Sequence, residues 1–241
     1  MLRYLINFVY PPRCAACERR LPVETTQRVC RDCLSAIERL HEPLCTVCGV
    51  PIDVSRNEGG CCYACDASPP AFTQARAVSR YRPDDEERAP IPSMIRRHKY
   101  GRDQSLTHAL AECLGEPMPL EENDYDLVVP VPLHRARLRW RGFNQAALIG
   151  GSIARRIGRP LDAKNLIRTR ATSSQTAKDR QERRRNVRDA FQVRRPEGIA
   201  SRMILLVDDV MTTGSTVDEC ARALLVAGAR RVDVLTLARV L

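Results

Sequence analysis

The chain has 241 residues, 44% hydrophobic, 28% charged and 5% aromatic, close enough to the globular average to exclude wholesale disorder and fibrous classes. Its apolar runs fall short of a membrane span, and Pro11, Pro12 and Arg13 interrupt the amino-terminal stretch before any site resembling signal-peptide cleavage, so a soluble cytoplasmic protein is expected. Two totals stand out, 11 cysteines and a formal charge of +10, and neither is evenly spread.

The first predicted element is a short helix. Leu2, Leu5, Ile6 and Val9 recur at helical spacing, and Pro11-Pro12 ends it. So short an apolar stripe is better suited to packing on the rest of the protein than to a membrane surface.

Nine cysteines follow between Cys14 and Cys65. Eight of them pair as Cys14/Cys17, Cys30/Cys33, Cys45/Cys48 and Cys62/Cys65, four C-x-x-C knuckles separated by 12, 11 and 13 residues. One such turn places two thiolates on the same side of a zinc ion, and two turns close a tetrahedron. Four knuckles therefore supply two four-cysteine sites. The simplest pairing is sequential, Cys14, Cys17, Cys30 and Cys33 for one ion and Cys45, Cys48, Cys62 and Cys65 for the other; a cross-braced pairing uses the same residues. Closed sites of this kind are structural. The odd cysteine count and the lack of an export signal speak against a disulfide framework. Cys61 leaves the register of the last knuckle open, although the spacing favours Cys62, and His41 fits a solvated loop better than a ligand. Cys113 and Cys220 fall in helical patterns, where they pack as small hydrophobes.

Residues 1–69 hold 8 Arg and 8 acidic residues, whereas residues 70–241 carry 31 basic and 21 acidic ones. The composition thus changes near Ser68-Pro69-Pro70, predicting a neutral module over 1–69 and a basic domain over 70–241. In the basic domain Asp126–Val131 reads as a buried strand. It leads through Pro130-Val131-Pro132-Leu133-His134 into Arg135, Arg137, Arg139 and Arg141, a cluster suited to a polyanion, with Arg135 and Arg137 the best candidates. Gly142-Phe143-Asn144-Gln145 opens a helix striped by Ile149, Ile153 and Ile157 and stopped at Gly158. From Arg168 to Arg195 come ten basic and three acidic residues; this run reads as a lid, a nucleic-acid face or a solvated surface.

Met203–Val207 is a continuous apolar run, the mark of a parallel strand buried on both faces. It runs into Asp208-Asp209-Val210-Met211-Thr212-Thr213-Gly214-Ser215-Thr216. A helix follows with Val217, Ala221, Leu224 and Leu225 on one side, a capping box from Ser215 to Asp218, and Gly228 as its stop. Val232–Val240 is the last strand. Small residues and hydroxyls at a helix start make a cradle for a monophosphate. An acidic pair at the strand's carboxyl end suits the vicinal diol of a ribose 5-phosphate, because carboxylates facing the phosphate itself would repel it. No Gly is followed by Lys, so a nucleotide-triphosphate loop of the G-x-x-x-x-G-K-[ST] kind is absent.

Ile204 to Thr216 resembles the signature of type I phosphoribosyltransferases, which bind phosphoribosyl pyrophosphate (PRPP). That resemblance implies an α/β fold with an open, mostly parallel sheet flanked by helices. It also implies that Asp208 and Asp209 contact the ribose hydroxyls as the catalytic pair, that Thr212, Thr213, Gly214, Ser215 and Thr216 bind the 5′-phosphate, and that Mg²⁺ accompanies PRPP. A loop after an early strand would hold the pyrophosphate. Taken with the cysteine knuckles, Lys99-Tyr100-Gly101, Val131-Pro132-Leu133, Arg141-Gly142-Phe143-Asn144-Gln145, Gln175, Arg183 with Asn186, and Ala190-Phe191, the chain is similar over nearly its whole length to the competence protein F (ComF) family. The resemblance implies a double zinc ribbon ahead of the transferase domain and a cytoplasmic role in the uptake or handling of transforming single-stranded DNA, with that DNA or a competence helicase as partner. Either turnover with an acceptor that no motif specifies, or sensing of PRPP or a nucleotide by an adaptor, is compatible with these residues.

Overall fold

The strands that read as buried on both faces sit side by side at the centre of the molecule. The computed structural model describes residues 10–53, 59–82, 84, 89–115, 118–120, 125–171 and 185–241; the helix expected over Leu2–Val9, and Gln175 and Arg183 of the basic run, lie outside them. In chain order the elements are α1 (Arg31–Ser35), α2 (Tyr63–Ala67), β1 (Gln74–Tyr81), α3 (Pro90–Tyr100), α4 (Leu106–Glu112), β2 (Leu127–Pro130), α5 (Arg135–Arg141), α6 (Gln145–Arg156), β3 (Leu166–Arg168), β4 (Phe191–Val193), β5 (Met203–Met211), α7 (Ser215–Val226) and β6 (Arg231–Val240). β1, β6, β5 and β2 form a parallel sheet in that order, and β3 pairs with β4 in an antiparallel hairpin.

Side-chain alternation along the strands divides the apolar residues between two cores. Val128, Leu205, Val207 and Leu235 pack on one face with Ile91 and Ile95 of α3, Leu110 of α4, and Ile149 and Ile153 of α6. Val129, Ile204, Leu206 and Val234 pack on the other with Val217, Ala221 and Leu224 of α7. Cys113 and Cys220, both fully buried, fill space in these two cores.

No apolar pattern marks β1. Its buried positions are Ala75, Ala77, Val78 and Ser79, mostly small, and the cysteine-rich module lies against its outer edge. Leu40 N–H donates to Val78 O (3.2 Å), Arg80 N–H to Glu38 O (3.0 Å), and Ala75 N–H to Val47 O (2.6 Å). Side chains add to the joint: Arg39 donates to Cys113 O and Leu114 O at 3.2 Å each, and Arg97 to Ala15 O at 2.8 Å.

Three local expectations are corrected. The strand beginning at Met203 continues to Met211, so the acidic pair lies within β5. The arginine-rich segment is a seven-residue helix, α5, whose amino end is capped by His134 Nδ1 accepting from Ala136 N–H (3.3 Å). The capping box on α7 does not form. Gly214 occupies the N-cap at φ +80° with no side-chain cap, which places Ser215 inside the helix; its hydroxyl meets Thr213 Oγ1 at 2.9 Å, while Asp218 Oδ1 accepts from Ala71 N–H at 2.6 Å.

Near the amino ends of β1 and β6, the fully buried Asp233 carboxylate is held by Arg231 (2.8 Å), Tyr125 Oη (3.0 Å) and Gln74 Nε2 (3.2 Å). Tyr125→Phe deletes one donor to a buried charge, and a loss of about 1–3 kcal/mol is expected from the urea unfolding midpoint, without change in the slope.

Candidate functional site

β5 and β2 end side by side, and their carboxyl ends open into a cleft of about 530 Å³, the edge of an α/β sheet where ligands bind. Asp208 and Asp209 both line it. As consecutive strand residues they point to different sides of the sheet. Asp209 is buried and ion-paired to Lys99 Nζ at 3.0 Å, and Lys99 is brought there by the last turn of α3. Asp208 accepts the Asp209 N–H at 2.9 Å. Burial first, and the neighbouring Asp209 carboxylate second, push the Asp208 carboxyl up to about 7, against the pull of Lys99.

Beyond β5 the chain turns through Thr212–Thr216. Gly214 is favoured there by its φ of +80°; a Cβ would also meet the flexible end of Met211, Cε, at 2.8 Å. Thr216 faces the main cleft, Thr213, Gly214 and Ser215 border a neighbouring pocket, and Thr212 is exposed.

The helical form of α5 sorts its arginines. Positions i and i+4 share a helix side, so Arg137 and Arg141 both reach the cleft, while Arg135 is exposed at the first turn and does not line it. Arg141 is only 7% exposed, its guanidinium lies 5.9 Å from the Tyr100 ring and 6.0 Å from the Trp140 ring, and its Nε has no hydrogen-bond partner among the described residues. Burial lowers its pKa, with Asp209 opposing. Gln145, 2% exposed, likewise leaves Nε2 unpartnered in the cleft wall. Arg168, at the end of β3, stacks on Phe191 (5.3 Å) and also lines the cleft. Facing the acidic pair is therefore a wall rich in donors. Asn144 fixes this wall: Nδ2 donates to Val131 O (3.0 Å) and Oδ1 accepts from Ala146 N–H (3.1 Å). His98, the residue before Lys99, packs on Phe143 and bonds to Thr107 Oγ1 (3.1 Å); burial brings its pKa down to about 4, so it stays neutral.

Sequence reasoning singled out the acidic pair, the loop and Arg137. It did not single out Lys99, Tyr100, Trp140, Arg141, Gln145 or Arg168 as site residues. For Arg141 the i, i+4 spacing from Arg137 was the available signal, once the segment is helical. Lys99 and Arg168 come from distant elements and have no local signature.

The cysteines form two groups, Cys14, Cys17, Cys30 and Cys33, and Cys45, Cys48, Cys62 and Cys65, in each of which all four sulfurs lie within 4.8 Å of one another. This is the sequential pairing, and it sets aside the cross-braced one. Sulfur separations of 3.8 Å (Cys17 to Cys30) and 3.7 Å (Cys48 to Cys62) match the edge of a tetrahedron with Zn–S bonds of about 2.3 Å, so both sites fit zinc. Backbone N–H groups of Cys30 and Cys33 point at Cys14 and Cys30 sulfurs, and those of Cys48 and Cys62 at the Cys45 sulfur. Burial raises the Cys14 and Cys45 thiols, but backbone amides, led by Cys17 N–H at Cys14 and Cys48 N–H at Cys45, outweigh it and bring them to about 7 and about 6, favouring the thiolate that binds metal. Cys61 and His41 stand outside both groups; Cys61 Sγ instead meets Cys62 O at 3.7 Å.

Two outcomes are expected. Metal analysis finds two zinc ions per chain; Cys48→Ser loses one and Cys61→Ser keeps both. Asp208 binds its proton more tightly in the fold than in the unfolded chain, where 3.8 is the ordinary value, so its carboxylate weakens the fold progressively as pH rises from about 4 through 7. Asp208→Asn should therefore raise Tm at about pH 8 and lose that advantage near pH 4. A pH-independent difference would contradict the assignment.

The chain matches the Double zinc ribbon domain family over residues 5–66 and the Phosphoribosyl transferase domain family over residues 144–241. DNA utilization protein YhgH of Salmonella typhi is 32% identical, over 96% of this chain and 98% of that protein. Competence protein F of Haemophilus influenzae is 27% identical, over 98% and 100%. Among solved structures, adenine phosphoribosyltransferase from Thermoanaerobacter pseudethanolicus is 17% identical with a TM-score of 0.36, covering 57% of this chain and 82% of that one. Identity of this order along nearly the whole of both sequences, with both domain families in the same chain, makes this protein a member of the ComF family, that of competence protein F and DNA utilization protein YhgH.

Proposed function

We propose that the cleft binds PRPP with Mg²⁺ and transfers its phosphoribosyl group to a nitrogen acceptor, in a cytoplasmic protein that serves the handling or uptake of single-stranded DNA. In this reading residues 1–69 are the zinc-ribbon module and residues 70–241 the transferase domain. The observation that carries it is the division of the cleft. The acidic pair and Thr216 line one part of it, and Arg137, Arg141, Gln145 and Arg168 line the rest, where Arg141 Nε and Gln145 Nε2 find no hydrogen-bond partner among the described residues. Few ligands need both a diol acceptor and a polyanion clamp, and PRPP does.

Asp208 and Asp209 would accept the ribose hydroxyls, and Thr212–Thr216 would hold the 5′-phosphate with amides and hydroxyls. Arg137 and Arg141 would neutralise the pyrophosphate as the bond from the anomeric carbon to its oxygen breaks. Carboxylate oxygens of Asp208 and Asp209 would be suitable donors to Mg²⁺, which would supply the remaining charge neutralisation. The acceptor nitrogen bonds to that carbon, and its proton passes to Asp208, whose pKa near 7 suits a base at neutral pH. Tyr100 and Trp140, 66% and 55% exposed at the rim, offer ring faces to a planar acceptor.

A sensing role without turnover rests on a different observation, the Lys99–Asp209 ion pair, which leaves half of the acidic pair already partnered. For the DNA role the support is the charge excess of residues 70–241 together with the names of the relatives.

Calorimetry with PRPP and Mg²⁺ is expected to show binding by wild type and a loss of about 100-fold or more in the Asp208→Asn/Asp209→Asn double variant, the worth of two charge-assisted hydrogen bonds. Equal binding would falsify the site. Arg141→Ala should cost about tenfold or more. Pyrophosphate release over a panel of nitrogen acceptors separates the two readings: tight binding with no release for any acceptor favours sensing. Affinity for single-stranded DNA should fall steeply with added salt, and a flat response would remove DNA from the reading.

A further inference from the structure

Between the second cysteine group and the phosphate-type turn lies another pocket of about 350 Å³, walled by Val50, Tyr63, Phe72, Met211 and Arg239. Arg239 is the unusual member. It sits on β6, register-paired with Met211 of β5, and is only 5% exposed. A buried guanidinium is costly unless a negative charge meets it. Among the described residues no carboxylate pairs with it. Instead Nη1 donates to Cys48 O and to Met211 Sδ (3.6 Å), and Nη2 to Cys48 Sγ (3.6 Å).

The negative charge available at that place is on sulfur. Zinc held by four thiolates is a net dianion, and a buried cation beside one of those sulfurs is its natural complement. At the first cysteine group the arginine contact is of another kind, Arg97 Nη1 donating to the Ala15 carbonyl at 2.8 Å. The second group also takes Arg76, which donates to Thr46 O at 3.1 Å, so two sheet strands reach into the same knuckle.

The other arm of Arg239 leads to the ligand site. Met211, which it touches, ends β5 and lies under the turn: its Cε occupies the space that a Cβ on Gly214 would need. The sulfur contact to Arg239 holds the methionine where the left-handed turn at Gly214 can form over it. The geometry points to Arg239 as the counter-ion of the second zinc centre and, through Met211, as the tie that keeps Thr212–Thr216 in its binding shape. Loss of metal leaves a buried cation unpaired and releases the turn, so the zinc ribbon acts on the transferase cleft rather than standing beside it. The inference rests on the reading of that turn as the PRPP phosphate site only for its functional consequence; the tie itself is a property of the free protein.

The zinc-loaded full chain tests it in two measurements on wild type, Arg239→Met and Arg239→Lys. Transfer of zinc to a chromogenic chelator should show two phases. In Arg239→Met one phase should be faster by about tenfold or more, in the range known for groups that support metal ligands, with the other unchanged. Arg239→Lys keeps the charge without the planar fork and should fall between. Amide hydrogen exchange over residues 211–216 should accelerate in the same order. Should Arg239→Met fail to fold, the lysine variant decides alone. Wild-type rates for both ions in the folded variants overturn the counter-ion, and faster zinc release with unchanged exchange over 211–216 overturns the tie. Calorimetry of wild type with PRPP and Mg²⁺ is read separately: absence of binding there defeats the transferase reading and leaves both outcomes above interpretable.

Discussion

An open parallel sheet has an edge whose amides and carbonyls must be satisfied, and here that requirement decides how the molecule is assembled. β1 gives one edge to β6 and the other to residues 38–47 of the cysteine-rich module. Short segments held by metal knuckles are poor at burying apolar area on their own. They gain a wall by lying on the strand, and the strand is kept from pairing with another chain. Both cores contain cysteines of the metal groups, Cys14 in one and Cys45, Cys48 and Cys65 in the other. The module is thus continuous with the packing that supports the cleft.

The cleft shows a second kind of economy. Its acidic and donor-rich sides are generated by separate elements that share little sequence proximity: β5 for the carboxylates, α5, α6 and β3 for the donors, and α3 for Lys99. Opposite charges kept apart across a space of this size leave each side incompletely satisfied in the free protein, as the raised Asp208 pKa and the idle Nε of Arg141 both record. Such stored electrostatic tension is characteristic of places where a ligand completes the interactions. By contrast the fully buried Asp233 has three donors. It supports the fold and has no role in the cleft.

Features set by local sequence were the legible ones. The apolar runs at Met203 and Asp126 exposed two buried strands, the four knuckles exposed both cysteine groups, and the small residues after Asp209 marked the turn at Gly214 that precedes α7. What escaped was determined by partners distant in the chain. β1 buries the consecutive Ala77, Val78 and Ser79 beside Ala75, so no period-two apolar pattern marks it. α5 looked like a loop because Pro130 and Pro132 precede it and arginines dominate it; its helix is short, and His134 starts it. The capping box failed although its spacing was right, because a left-handed glycine moved the helix start by one residue and Ala71 claimed the Asp218 carboxylate. Lys99 and Arg168 became site residues only through tertiary packing.

The register between β1 and β6 carries a consequence for the order of assembly. Gln74 lies opposite Asp233, 159 positions away, so the sheet's outer strand gains its in-sheet neighbour only when the most distant strand arrives. Contacts of such separation close slowly, because a long loop must be ordered before any of them forms. During that interval the segment nearest in sequence to β1 is the metal-binding module, the same one that covers its other edge in the finished structure. The ribbon is positioned to act as an internal chaperone: a chain deprived of zinc while folding would present β1 with both edges bare, and aggregation through strand pairing, rather than loss of ligand binding, would be its first symptom.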